Sequence, residues 1–124
     1  MTSTAKSPRA TLIVATYENP EALALVFAGL ARQTTRDFEV LVADDGSGSE
    51  TRRLVERTVR TSAVTVRHVW QPDDGLRKGR CQNRAILAAA GDYLIFLDGD
   101  CIPGPHFVAR HLELARPGTY LSGS

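Results

Sequence analysis

An α/β fold, a mostly parallel sheet flanked by helices, is predicted by three observations in this sequence. Compact apolar, β-branched runs begin near residues 10, 38, 64 and 93. A stretch of helical periodicity separates each run from the next, and turn-forming residues mark the boundaries. Strands joined by helices in this way run parallel, with right-handed crossovers.

Residues 1–9 hold almost nothing to bury and read as a flexible leader ahead of one domain over 10–124. Ala10–Thr16 (ATLIVAT) reads as a strand buried on both faces. Asn19-Pro20-Glu21 supplies a helix start: a capping Asn, a Pro at the first helical position and an acid in the first turn. Leu23, Val26, Phe27 and Leu30 follow at helical spacing. Phe38–Asp44 (FEVLVAD) is a second strand, closed by the turn residues Asp45-Gly46-Ser47-Gly48-Ser49. A second helix runs over Glu50–Thr61, with Leu54, Val55 and Val59 as its apolar stripe.

Val64–Trp70 (VTVRHVW) alternates. Val64, Val66, His68 and Trp70 share one face, and Thr65 and Arg67 the other, which suits an edge strand. A third helix covers Arg77–Ala90, with Gly91 as a left-handed cap. Tyr93–Asp98 (YLIFLD) is again almost wholly apolar. A fourth helix is expected over Pro105–Ala115, and Thr119–Leu121 begins a further strand.

Composition narrows the function. The chain has 124 residues, 43% hydrophobic and 23% charged, so it holds enough apolar material for one core. A net charge of +1 argues against nucleic acid or a membrane surface as a partner bound through bulk charge. The apolar runs are far shorter than the roughly 20 residues a membrane-spanning helix needs, so no transmembrane segment is expected. The first residues have no apolar signal-like core, and the two cysteines, Cys81 and Cys101, make no disulfide framework. A cytoplasmic location is expected.

In open α/β sheets, ligands bind beyond the carboxyl ends of the strands, where the strand order reverses. Strand one ends in Thr16, Tyr17 and Glu18, strand two in Asp44 and Asp45, and strand four in Asp98-Gly99-Asp100. Two carboxylates on one turn make a hard oxygen site suited to Mg2+ or Mn2+; a turn-capping pair is the alternative. Arg77, Arg80 and Arg84 fall on one face of the third helix. Cations in a first turn oppose the helix dipole and suit an anion such as a diphosphate; a solvated basic helix start is the alternative. Gly46-x-Gly48 lacks the third glycine and the placement of a dinucleotide fingerprint, and reads as a tight turn presenting Asp44 and Asp45. His68 and Trp70 read as packing residues, and the cysteines as free thiols.

Taken in order, Thr16-Tyr17-Glu18, Gln33-Thr34 with Phe38-Glu39-Val40, Asp44-Asp45-Gly46-Ser47, Gly75 to Asn83, and Ala89 through Asp100 resemble a known pattern. It is that of the N-terminal, nucleotide-sugar-binding part of a family 2 glycosyltransferase with the Rossmann-like GT-A fold. The resemblance runs from about Thr11 to Ala115. It implies that Thr16 and Tyr17 contact the nucleobase, commonly uracil, with Glu18 replacing the more frequent Asn. Asp45, with Asp44 as its alternate, would bind base and ribose, Arg77 would lie near the diphosphate or base, and Asn83 matches a family position. Asp98 and Asp100 match the DXD motif that contacts ribose and holds Mn2+ or Mg2+ against the phosphates. Metal-dependent, inverting transfer from a nucleotide-diphosphate sugar, such as a UDP-sugar, is implied. The acceptor hydroxyl, on a saccharide, lipid or other molecule, is left open. The stretch after Asp100 offers no convincing catalytic base, so the base is expected beyond Ser124 and the domain is expected to be partial. A non-catalytic nucleotide-sugar-binding fragment and a nucleotidyltransferase are the competing readings. The second would need a Gly-rich basic loop straight after strand one, which Thr16–Pro20 lacks.

Overall fold

The structure, a computed structural model, describes residues 8–70, 78–114 and 120–122. Its elements in order are β1 (Ala10–Thr16), α1 (Pro20–Ala31), β2 (Phe38–Asp44), α2 (Ser49–Thr61), β3 (Val66–Trp70), α3 (Lys78–Ala88), β4 (Tyr93–Asp98), α4 (Phe107–Leu114) and β5 (Tyr120–Ser122). Most of the expected leader, and Arg77, lie outside the described residues.

The strands form one five-stranded sheet in the order β3-β2-β1-β4-β5, and every pairing is parallel. β3 is an edge strand, in keeping with its alternating polarity, and its middle residues are only partly covered. The order reverses between β1 and β4: from β1 the chain builds outward to β2 and β3, then returns to β1's other side for β4 and β5.

Period-two alternation in β1 and β2 divides the core into two layers. Leu12, Val14, Val40, Val42, Ile95 and Leu97 face α1, α2 and α4, where Leu23, Val26, Val55 and Val108 are wholly buried. Ile13, Leu41 and Ala43 face the other way, against Cys81 and Ala85 of α3. Helices on both faces explain why β1 and β2 are buried at every position and read as continuous apolar runs.

The local signals for α1 act as expected. The Asn19 side chain accepts the Ala22 N–H at 3.3 Å, and Pro20 opens the helix. In α2 the stripe is narrower than its sequence implied. Val59 is 44% exposed, while Thr51 is buried beside Val55, because the helix turns that side toward the sheet.

Gly91 corrects another expectation. It is not left-handed, and α3 ends at Ala88. The constraint at Gly91 is contact: a Cβ there would lie 2.6 Å from the Ala10 carbonyl carbon and 2.7 Å from the Thr11 nitrogen. The chain enters β4 pressed against the start of β1.

A polar network closes this amino end of the sheet. Glu39, 3% exposed, accepts the Thr11 hydroxyl at 2.6 Å, the Ala90 N–H at 2.6 Å and Arg67 Nη2 at 3.0 Å. Thr11 Oγ1 in turn accepts the Gly91 N–H at 2.9 Å. Burial works to raise the Glu39 carboxyl, but these donors, with the Arg67 charge, hold it below its ordinary value.

Candidate functional site

At the opposite end, the carboxyl ends of β1, β2 and β4 come together because the ladder aligns them. Thr16 is in register with Asp44, and Ala15 with Asp98. Beyond the reversal in strand order lies an open cleft of about 350 Å3, lined by Ala15, Thr16, Tyr17, Asn19, Asp98, Gly99 and Asp100. Three of the sequence-selected groups, at Thr16–Tyr17, Asp98 and Asp100, thus share one cleft.

The β4 turn is fixed by backbone bonds from Gly99 N–H to Ala15 O at 2.7 Å and from Cys101 N–H to Asp98 O at 3.1 Å. Gly99 is required there, since a Cβ would lie 2.7 Å from the Ala15 carbonyl oxygen. This close approach sets Asp98 and Asp100, both exposed, on either side of it. Ligating atoms of Asp98, Asp100 and Cys101 lie within 4.8 Å of one another. Facing them, Thr16 is 8% exposed, and its buried hydroxyl has no hydrogen-bond partner among the described residues. A buried polar group left so is costly, and this hydroxyl is open to a hydrogen bond from beyond the described residues. Tyr17 beside it is 52% exposed.

The β2–α2 loop lies alongside, with Gly46 at a φ of 93° making the expected tight turn. The turn does not present both aspartates. Asp44 is fully buried and Asp45 7% exposed. Asp44 Oδ1 accepts the Ser47 N–H at 2.9 Å and Oδ2 accepts from His68 Nε2 at 2.8 Å. Burial works to raise the Asp44 carboxyl, but the bonds from His68 and Ser47 leave it below its ordinary value. Across this layer, the Cys81 thiol is pushed up by burial and by the Asp45 and Asp44 charges.

Glu18 has left-handed backbone, with φ at 50°. Its N–H donates to Ser47 Oγ at 2.8 Å, and its carboxylate accepts the Gly48 N–H at the start of α2. The side chain thereby ties the β1 loop to the β2 loop and places an acid at a helix N-terminus, where it is favoured. Asn83 is exposed on α3 and is not among the residues lining the cleft. Arg77 lies outside the described residues. Sequence reasoning gave His68 and Trp70 only a packing role; their shared face on β3 was the available signal of a common target.

Residues 11–122 match the family model described as Glycosyl transferase family 2. The chain belongs to glycosyl transferase family 2. Its relatives include the chondroitin synthase of Escherichia coli, 35% identical over 106 residues, covering 83% of this chain and 15% of that protein. The validoxylamine A glucosyltransferase of Streptomyces hygroscopicus subsp. jinggangensis is 34% identical over 108 residues, covering 86% of this chain and 25% of that protein. The chain therefore spans a quarter or less of these two relatives' length. Among solved structures, a mannosyltransferase from Pyrobaculum calidifontis in complex with GDP-Man and Mn2+ superposes with a TM-score of 0.78 at 26% identity, covering 91% of this chain and 34% of that one. S. aureus TarS 1–349 in complex with UDP gives 0.71 at 25% identity, covering 85% of this chain and 31% of that one. This family 2 member has the Rossmann-like α/β fold of GT-A glycosyltransferases. Among its described residues, no helix is long and apolar enough to cross a membrane.

Proposed function

We propose that this chain is the donor-binding part of an inverting family 2 glycosyltransferase that takes its sugar from a nucleotide-diphosphate sugar, with UDP as the first candidate. The observation that carries this reading is the cleft at the strand-order reversal. There, two exposed carboxylates face a buried hydroxyl that lacks a partner among the described residues. The P. calidifontis and TarS complexes, with GDP-Man and UDP respectively, support the class of donor.

The donor set fits a divalent ion. Asp98 and Asp100 offer hard oxygen ligands within reach of one another, suited to Mn2+ or Mg2+, while the neighbouring Cys101 thiol is pushed up by burial and by the Asp100 and Asp98 charges, away from its ligating form. An ion held by Asp98 and Asp100 would supply charge neutralisation for a diphosphate leaving group. Asp98 and Asp100 hold and orient that assembly. The Thr16 hydroxyl supplies a hydrogen bond to the nucleoside, and Tyr17 an exposed ring for its base. Glu18 acts here by fixing the two loops relative to each other, and Asp45 is favoured over the fully engaged Asp44 for the base and ribose. Arg77 keeps its expected place near the diphosphate or base, and Asn83 its place as a nucleotide-binding position.

Transfer proceeds by displacement at the anomeric carbon, with an acceptor hydroxyl deprotonated by a carboxylate base. None of the described residues is assigned as that base or to the acceptor. A cytoplasmic location belongs to the same proposal. The test is calorimetric titration of UDP and GDP into the chain with and without Mn2+. Binding should require the metal and be abolished in Asp100→Ala; metal-independent binding, or none to either nucleotide, would contradict the proposal.

A further inference from the structure

Strand β3 carries two ring-bearing side chains to the loop between β2 and α2. His68 Nε2 donates to the fully buried Asp44 Oδ2, whose other oxygen accepts the Ser47 N–H. Trp70 donates its indole N–H to the Ser47 carbonyl at 3.1 Å, and the Arg52 guanidinium lies 4.8 Å from the Trp70 ring centroid. The Ser47 hydroxyl accepts the Glu18 N–H. Ser47, 2% exposed, is therefore held through its N–H, carbonyl and hydroxyl by three different segments.

Resting on the donor site proposed above, we infer that His68 is a positioning residue for the nucleoside. It acts through Asp44, fixing the loop over residues 45–48 in the shape that meets base and ribose. Asp44 is ionised in a dry site, where each oxygen needs its donor. Without His68, one charged oxygen has no donor. The readiest relief is for Asp44 to turn toward water, releasing the Ser47 N–H and opening the turn. Both Asp44 oxygens are committed to this task, so Asp44 shapes the loop and does not itself meet the nucleoside. The edge strand thus forms part of the donor site without touching the donor.

The test compares His68→Leu, which fills the space without a donor, with His68→Gln, whose amide N–H reaches toward the same oxygen. Amide hydrogen exchange at Ser47 and Gly48 is followed without nucleotide, and UDP and GDP are titrated in Mn2+. His68→Leu should speed exchange at Ser47 and weaken nucleotide binding roughly tenfold to a hundredfold, the loss expected for one hydrogen bond to a charged group. His68→Gln should restore most of both. Emission from Trp70, the single tryptophan, should shift with the loop in Leu and return in Gln. A general packing role would lower the melting temperature of both variants without this selective rescue. Unchanged Ser47 exchange and unchanged affinity in His68→Leu would overturn the inference. If the wild-type chain binds neither nucleotide, the donor reading fails, and the exchange arm alone decides the role of His68 in the loop. Should His68→Leu not fold, Asp44→Asn tests the same link by the same readouts.

Discussion

The two ends of the sheet treat carboxylates in opposite ways. At the amino end, Glu39 is buried and surrounded by Thr11, Ala90 and Arg67, a set of partners drawn from three segments of the chain. At the carboxyl end, Asp98 and Asp100 are exposed, held close together by a turn that Gly99 makes possible, and face a hydroxyl with no partner among the described residues. The first arrangement is complete within the chain and serves the fold. The second brings like charges together at the solvent boundary, and in the donor site proposed here it would take a cation and a ligand. Residue type alone does not separate these roles; burial does, since Glu39 is 3% exposed while Asp98 and Asp100 lie open to solvent. Asp44 lies in space beside the second group yet belongs with the first, since both its oxygens are satisfied from inside.

The sharpest way to break this contrast is to exchange its consequences. Asp100→Ala should abolish metal-dependent nucleotide binding while changing stability by less than about 0.5 kcal/mol, as for a surface position; titration and urea unfolding check the two halves. Glu39→Ala should do the reverse. It strips three donors of their acceptor at a buried site and should cost about 2–4 kcal/mol in urea unfolding. Any nucleotide affinity measured on its folded fraction should be close to that of the wild type.

Gly99→Ala lies between these two. Its Cβ would meet the Ala15 carbonyl oxygen, a backbone atom that cannot swing aside, so the turn must shift. Nucleotide binding should weaken by roughly tenfold or more, alongside a stability loss of about 1–3 kcal/mol. Equal affinity in Gly99→Ala would show that the spacing of the two aspartates does not matter.

The smallest expected effect is in pH dependence. Glu39 and Asp44 are both held below their ordinary carboxylate values, so the unfolded chain binds protons that the folded one does not. Their stabilisation is therefore fully present above about pH 5 and is lost as pH falls through about 4 and below. Urea midpoints measured from pH 6 to pH 3 should fall more gently in Glu39→Gln than in wild type.

How much of this was legible in the sequence follows from the range of each interaction. Strand order of appearance, the α1 cap and the edge character of β3 rest on residues within a few positions of one another, and these local patterns read correctly. The placement of Asp98 and Asp100 was legible too, because a parallel sheet puts every strand end on one rim. Glu39 was hidden because its partners lie at Thr11, Arg67 and Ala90, the last 51 positions away. Gly91 was misread for the same reason: the need at that position comes from the backbone of β1 and not from the end of its own helix. That Asp44 is fully engaged also turned on His68, a residue from another strand.

One measurement tests the account most directly: the thermal shift produced by UDP with Mn2+, taken on the wild-type chain and on Asp100→Ala in parallel. Ligand at a hundred times its dissociation constant should stabilise the wild type by about 2.7 kcal/mol. The account predicts that shift for the wild type with metal and none without it, and no shift for Asp100→Ala from an unchanged starting melting temperature. An equal shift in Asp100→Ala, or one in wild type that ignores the metal, would contradict the assignment of the carboxyl-end aspartates to the ligand.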